Sequence, residues 1–169
     1  MSIFYPNRLV PRVTDIDPRQ LAESGVRGLL LDADNTLTTH NSQQLDPAVR
    51  TWLDEVAACG IRAVIISNNN FERTRPFAQL TGLPFVSKAH KPLPSGFRRA
   101  RRALGLTRQQ CAVIGDQVFT DVLGARLSRL YCIQVLPIQE EKGHPFLAFK
   151  RIFEKRILRR YRRRKENVK

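Results

Sequence analysis

The chain has 169 residues, of which 42% are hydrophobic, and it carries a formal net charge of +14. This length and apolar content are ordinary for one globular domain with a buried core, and they exclude a largely disordered chain. The charge is concentrated near the C-terminus, where residues 150–169 hold eleven Lys and Arg against two Glu. Such a balance suggests an anionic partner, either nucleic acid or a membrane surface.

Targeting features and cysteines favour a cytoplasmic protein. Residues 1–12 contain two prolines and no long apolar core, so they do not resemble a secretory signal. No stretch approaches the roughly 18 consecutive apolar residues of a membrane span, so we expect a soluble protein or one peripheral to the inner face of the membrane. Cys59, Cys111 and Cys132 are odd in number and lie in apolar surroundings, which favours reduced, buried thiols over disulfides or a metal site.

Helical and strand patterns alternate along the chain. Helical patterns begin at Pro18, Asp46, Phe71 and Pro94 and end at Gly25, Gly60, Gly82 and Gly105, and a further helix ends near Leu127. Strand patterns, which are short apolar runs, cover residues 28–31, 61–66, 83–86, 111–114 and 131–136. This alternation predicts an α/β fold with a doubly wound, mainly parallel sheet of five strands and right-handed crossovers.

Polar side chains follow the ends of these strands. They are Asp32 and Asp34 after the first strand, Ser67 and Asn68 after the second, Lys91 in the next connection, and Asp116 and Asp121 after the fourth strand. Because the carboxyl ends of parallel strands lie at one edge of the sheet, we expect these groups to converge. Crowded carboxylates repel one another and need a cation, and hard oxygen ligands suit Mg²⁺.

The residues at these strand ends resemble the motifs of the haloacid dehalogenase (HAD) superfamily of phosphatases. Residues 32–37, Asp-Ala-Asp-Asn-Thr-Leu, match its DxDxT motif, and the other motifs follow in the right order within residues 28–125. The loop at residues 67–69, the Lys91-Pro92 pair and residues 115–121 resemble more narrowly the YqeG family, of subfamily IIIA. That family is similar to the phosphatidylglycerophosphate phosphatases of mitochondria and plastids.

The resemblance implies a HAD-like Rossmannoid fold and a Mg²⁺-dependent phosphomonoester hydrolase that works through an aspartyl-phosphate. Asp32 would be the nucleophile and a metal ligand. Asp34 would protonate the leaving group and then activate water, while its backbone carbonyl binds the metal. Lys91 would neutralise charge on the phosphoryl group.

The remaining motif residues would bind phosphate and metal. Ser67, through its hydroxyl, and Asn68, through its backbone N–H, would hold the phosphoryl oxygens. Asp116 would bind Mg²⁺ directly, and Asp121 would bind it through water or orient Lys91.

Several of these residues also have a plainer interpretation. Ser67 and Asn68 are typical of helix N-caps, and Asp121 could be a solvated acid on a helix face. Lys88 is an alternative to Lys91. The proline that follows Lys91 restricts its backbone and favours Lys91 for this role. A receiver domain also gathers acids, a hydroxyl group and a lysine around a phospho-Asp, but its phosphate acceptor follows the third strand, so the order of motifs here disfavours it.

The connections between motifs are short. Residues 34–67 and 68–91 have room for a helix and a strand or two, so we expect no cap domain and an open site. An open site can take a phosphate displayed on a lipid headgroup, a nucleic acid end or a protein. The three histidines lack metal-ligand spacing and are assigned no role: His40, His90 and His144.

Residues 143–169 are predicted to follow a catalytic domain at residues 1–142 as a basic amphipathic helix and tail. Apolar residues recur at helical spacing from Pro145, and basic residues occupy much of the rest; the apolar ones include Phe146, Phe149, Phe153, Ile157 and Tyr161. The helix could lie on an anionic membrane, contact RNA or a ribosome, or pack on the protein's own core.

The leading hypothesis is a phosphatidylglycerophosphate phosphatase of phospholipid biosynthesis. Its alternatives are an RNA- or ribosome-associated binding protein with little turnover, and a phosphatase for a soluble phosphoester.

Overall fold

The structure is a computed structural model that describes residues 2–40, 42–139 and 145–166. Its single sheet is parallel throughout, in the order β1-β6-β5-β2-β3-β4. The strands are β1 Arg8–Val10, β2 Gly28–Leu31, β3 Arg62–Ile66, β4 Phe85–Val86, β5 Cys111–Gly115 and β6 Tyr131–Val135. The predicted α/β class and doubly wound parallel sheet are confirmed.

The predicted number of five strands is wrong, because β1 forms a sixth. This strand has three residues and pairs with β6, from Arg8 opposite Ile133 to Val10 opposite Val135. Its sequence begins with an arginine and lacks an apolar run, so the pattern that reveals the buried strands is absent. An edge strand of this kind is defined by its partner more than by its own composition.

In the described part of the chain, six helices connect the strands or follow them. They are α1 Pro18–Glu23, α2 Pro47–Ala58, α3 Phe71–Thr81, α4 Pro94–Ala103, α5 Leu123–Leu127 and α6 Pro145–Glu166, with a 3₁₀ turn at Val13–Asp15 and a π-helical turn at Val118–Val122. Asp17 and Asp46 cap α1 and α2 by accepting from backbone N–H groups at 2.8 and 2.7 Å. A proline stands at the start of both helices, where the missing N–H costs nothing.

The central strand β2 is buried on both faces. Leu29 and Leu31 belong to one apolar cluster, which includes Trp52 of α2, and Leu30 belongs to a second cluster, which includes Phe97 of α4. The three leucines are fully buried, and burying each contributes about 1.5–3 kcal/mol. The end of β2 is therefore a rigid platform for the residues that follow it.

The two connections that could carry a lid are short. Among the described residues, α2 and β3 are the elements between Asp34 and Ser67, and α3 and β4 are those between Asn68 and Lys91. Neither connection has an additional sheet or helical bundle in this part of the chain. Within the ranges that the structure describes, no separate cap domain lies over the carboxyl edge of the sheet.

The predicted C-terminal helix is present as α6. The domain boundary predicted at 142–143 lies outside the described residues, as does His144, and the side chains of Phe146 and Phe149 are not described. Where side chains are described, Glu154 and Tyr161 are buried, and the helix packs through them. Each helix in the described ranges is either too short or too polar to span a membrane.

Candidate active site

Three buried carboxylates meet where β2 and β5 end. The strands run in register, Leu31 opposite Ile114, and the backbone N–H of Asp32 donates to the Ile114 carbonyl at 2.9 Å. This pairing sets Asp32 beside Asp116, and the π-helical turn brings in Asp121. One carboxylate oxygen from each of the three lies within 4.8 Å of those of the other two.

The loop after β2 is folded around one carbonyl group. Three consecutive backbone N–H groups donate to the Ala33 carbonyl at 2.9–3.2 Å, those of Thr36, Leu37 and Thr38. Asn35 adopts a left-handed backbone conformation with φ of 59°, which Asn tolerates better than most residues. The buried Leu37 side chain anchors the loop in the apolar cluster that contains Leu29 and Leu31. Asp34 is held in this loop, two residues after Asp32.

Lys91 joins two of the carboxylates. Its Nζ donates to Oδ1 of Asp32 at 2.5 Å and to Oδ1 of Asp121 at 2.7 Å, and its side chain is 4% exposed. Burial lowers the pKa of Lys91, but the carboxylates of Asp121 and Asp32 outweigh burial and raise it above its usual value. Lys91 is therefore a fixed positive charge at neutral pH. Lys88, the alternative, is exposed.

The Asp32 carboxyl group has a conflicting electrostatic environment. Burial raises its pKa well above the usual value, the Lys91 ammonium group opposes this rise, and the carboxylates of Asp121 and Asp116 add to it. One ammonium group is set against three carboxylates in a region of low dielectric. The cluster thus has an excess of negative charge that a bound cation would offset.

The donor set fits Mg²⁺. Buried carboxylate oxygens of Asp32, Asp116 and Asp121 are hard ligands, and their spacing lets all three contact one small cation, directly or through water. The carboxylate of Asp34, the fourth predicted metal residue, lies outside this cluster. The use of its backbone carbonyl as a metal ligand stays a prediction.

The Asp34 carboxylate instead lies among polar groups from other elements. Nδ2 of Asn69 donates to its Oδ2 at 2.7 Å. Nη2 of Arg73 lies 3.7 Å from Oδ1, and Nδ1 of His40 lies 3.8 Å from the same oxygen. Asp32 and Asp34, which are separated by one residue in sequence, are therefore in different environments. Asn69, Arg73 and His40 were not predicted as site residues, because nothing in their spacing points to Asp34.

The loop after β3 connects to the loop of Lys91. Ser67 is buried and its Oγ accepts from the Asn69 N–H at 3.1 Å. The Asn68 side chain accepts from the Lys91 N–H at 2.6 Å and donates to the Lys91 carbonyl at 3.1 Å. The N-cap of α3 is Asn70, whose Oδ1 accepts from the Arg73 N–H at 3.0 Å. Ser67 and Asn68 are therefore not the cap of this helix.

Two further residues hold the strand end that carries Asp116. Nε2 of the buried Gln134 donates to the Asp116 carbonyl at 3.0 Å. Gly115 has no space for a side chain, since an added Cβ would lie 2.4 Å from Cγ of Asp121. All seven predicted site residues lie at one edge of the sheet. Asp32, Asp116, Asp121 and Lys91 form one buried cluster.

Comparison with known proteins agrees with this architecture. The sequence profile of haloacid dehalogenase-like hydrolases matches residues 41–128. The chain is 38% identical to the probable phosphatase YqeG of Bacillus subtilis, over 93% of this chain and 91% of that protein. It is 25% identical to the chloroplastic phosphatidylglycerophosphate phosphatase 1 of Chlamydomonas reinhardtii, over 86% of this chain and 57% of that protein.

A solved structure shares the fold. A crystal structure of an uncharacterized protein from Listeria monocytogenes serotype 4b superposes with a TM-score of 0.57 and 16% identity, covering 70% of this chain and 85% of that one. The match to YqeG extends over nearly the whole of both sequences, and the profile match covers the motifs after β3 and β5. The chain therefore belongs to the YqeG family of haloacid dehalogenase-like hydrolases and is an enzyme of the phosphatase type.

Proposed function

We propose that this enzyme transfers the phosphoryl group of its substrate to Asp32 and then to water, and that the substrate is an anionic phospholipid of the phosphatidylglycerophosphate type. The observation that carries the chemistry is the contrast between two acids of one loop. Asp32 is buried against Lys91, while Asp34 lies in a separate polar environment with Asn69. A nucleophile and a proton donor need such different surroundings.

In the first step, an Asp32 carboxylate oxygen attacks phosphorus and the bond from phosphorus to the leaving oxygen breaks. Asp34 gives its proton to that oxygen, so the product leaves as an alcohol. Lys91 offsets negative charge on the phosphoryl oxygens, and the Ser67 hydroxyl and Asn68 N–H hold them. Attack by Asp32 requires its ionised form.

In the second step, a water molecule attacks the phosphorus of the aspartyl-phosphate. Asp34, now a carboxylate, accepts the proton of that water as the bond between phosphorus and Asp32 breaks. Inorganic phosphate and the Asp32 carboxylate are the products, and the enzyme is regenerated. Asp34 thus acts first as an acid and then as a base.

Mg²⁺ is the cation that we propose for the carboxylate cluster. Asp32, Asp116 and Asp121 would hold it, with the backbone carbonyl of Asp34. When bound, it offsets the charge of the carboxylates and of the phosphoryl oxygens. Asp121 has a double task, since its Oδ1 also accepts from Lys91.

A lipid substrate is supported by three observations. The relative from Chlamydomonas reinhardtii is named for phosphatidylglycerophosphate. The site edge has no cap domain among the described residues. In α6, Ile152 and Phe153 are 50% and 41% exposed beside exposed basic residues, including Arg156 and Arg159. A helix face of this composition suits an anionic membrane surface.

The chemical proposal is tested with a generic aryl phosphate. We expect phosphate release that requires Mg²⁺ and is abolished by chelation. Asp32→Asn and Lys91→Met should each lower kcat by more than about a thousandfold, because each removes a group required at the reacting centre. Lys88→Met, an exposed control in the same loop, should keep wild-type activity. An Asp32→Asn enzyme with full activity would disprove the mechanism.

The substrate proposal is tested by comparing phosphatidylglycerophosphate in vesicles with soluble phosphoesters. We expect the higher kcat/KM for the lipid. Equal or lower kcat/KM for the lipid would contradict this proposal while leaving the phosphatase mechanism intact. Salt-sensitive binding to ribosomes without binding to anionic vesicles would favour the alternative partner, RNA.

A further inference from the structure

The π-helical turn Val118–Val122 links two residues of the carboxylate cluster. It begins two residues after Asp116 and contains Asp121. The Asp121 carboxylate accepts from the Gln117 N–H through Oδ2 at 3.1 Å and from Lys91 through Oδ1 at 2.7 Å. The position of Asp121, and with it that of the Lys91 ammonium group, therefore depends on how this turn is held.

The first N–H groups of the turn have their acceptor in a distant helix. Oε1 of Glu154, in α6, accepts from the Val118 N–H at 2.9 Å and from the Phe119 N–H at 3.4 Å. Glu154 is 2% exposed. N–H groups at the start of a helical turn have no carbonyl partner within the turn, so a carboxylate is well suited to them.

A second contact fixes α6 against the domain. Tyr161, which is 5% exposed, donates through Oη to the Asn7 carbonyl at 3.2 Å and makes an edge contact with the Tyr5 ring at a centroid distance of 5.7 Å. Tyr161 follows Glu154 by seven residues, which is about two helical turns, so both lie on one face. The helix therefore presents the Glu154 carboxylate to the turn from a fixed position.

We infer that Glu154 is a positioning residue of the active site, which couples α6 to Asp121 and Lys91. This inference rests on the proposed function of those two residues. The basic C-terminal helix then has two faces with different tasks. One face holds the π-helical turn through Glu154, and the opposite face carries the exposed arginines. A helix that served as a membrane anchor alone would not need a buried carboxylate against the catalytic loop.

The test compares variants that keep or remove the acceptor. Glu154→Gln keeps an oxygen in the same place, whereas Glu154→Met fills the same space without a comparable acceptor. With the aryl phosphate and Mg²⁺, we expect Glu154→Met to lower kcat about tenfold with little change in KM, because transition-state contacts are displaced while the substrate still binds. Glu154→Gln should retain most of the wild-type kcat.

Two controls separate positioning from simple loss of stability. Tyr161→Phe loses the hydrogen bond to Asn7 but keeps its ring against Tyr5, so α6 should stay in place and kcat should match the wild type. Glu154→Asp keeps the charge but withdraws the oxygen by one methylene, and its kcat should fall as for Glu154→Met. Wild-type kcat in either the Met or the Asp variant would overturn the inference, as would equal losses in the Gln and Met variants.

Amide exchange at Val118 and Phe119 provides a readout independent of activity. Exchange should be faster in Glu154→Met than in Glu154→Gln, and unchanged exchange would overturn the inference. If the wild-type enzyme released no phosphate, the proposed function would fail, and the exchange data would still report whether Glu154 holds the turn.

Discussion

The Asp32 carboxyl group is a source of instability in the metal-free protein. Burial raises its pKa, the Lys91 ammonium group opposes the rise, and Asp121 and Asp116 add to it. A carboxyl group with a raised pKa in the folded state binds its proton more tightly there than in the unfolded chain. The metal-free fold is therefore expected to lose stability as pH rises above the usual Asp pKa of about 4 and through the raised pKa of Asp32.

Asp32→Asn should remove this part of the pH dependence. In the presence of a chelator at neutral pH, the variant should unfold at a higher temperature than the wild type, because it has no charge at this buried position. Thermal unfolding of both proteins across the acidic to neutral range measures the effect. A wild type that is more stable than the variant at neutral pH without metal would contradict the assignment of a raised pKa.

At the scale of elements, the close fit of β5 to the π-helical turn should make the site sensitive to substitution. An added Cβ at Gly115 would lie 2.4 Å from Cγ of Asp121, so Gly115→Ala should displace that carboxylate. A shift of about 1 Å in a catalytic group can cost on the order of a hundredfold in rate, and we expect a loss of that size in kcat.

Gly60→Ala is the matched control for this substitution. Gly60 has φ of 71°, and nothing lies within 4 Å of an added Cβ. Its alanine variant should lose about 1 kcal/mol of stability through backbone strain and keep its kcat. Steady-state kinetics with thermal unfolding distinguishes the two effects, and equal kcat in the two alanine variants would show that Asp121 does not depend on this fit.

Buried strands were predictable because their apolar residues form runs that end in polar motif residues. β2, β3 and β5 have such runs, and their parallel order predicted that Asp32 and Asp116 converge. β1 was missed because three residues at a sheet edge have no pattern of their own. The six-stranded sheet therefore required the structure.

The predicted site was incomplete where contacts join distant segments. Glu154 lies 36 residues after Val118, and no motif links them. One signal was present in the sequence: Glu154 is an acid in a strongly basic segment, on the same helical face as Tyr161. The Asn69 and Arg73 contacts with Asp34 likewise depend on how the loops fold together, which periodicity does not predict.

At the scale of the whole molecule, the exposed face of α6 should determine membrane affinity. Replacing Arg156 and Arg159 with Gln removes two exposed charges, each worth about 1 kcal/mol at an anionic surface, and should weaken vesicle binding about thirtyfold. Arg62 begins β3 and Arg108 precedes β5, and both are exposed. Replacing these two arginines with Gln should weaken vesicle binding much less.

Co-sedimentation with vesicles that contain anionic lipid measures this binding, and turnover of a soluble aryl phosphate should be unchanged in both double variants. Binding should also weaken as salt concentration rises, because exposed charges are screened. Equal vesicle binding by the two double variants would show that α6 is not the membrane-contacting surface.

The transfer of phosphate to Asp32 is tested most directly with Asp34→Asn and an aryl phosphate. An aryloxide leaves without a proton donor, whereas hydrolysis of the aspartyl-phosphate still needs the Asp34 base, so the intermediate should accumulate. The account predicts a burst of about one aryl alcohol per active site and a phosphoryl group on Asp32 by mass spectrometry of quenched enzyme. No burst in this variant, or the same burst when Asp32 is also replaced by Asn, would contradict it.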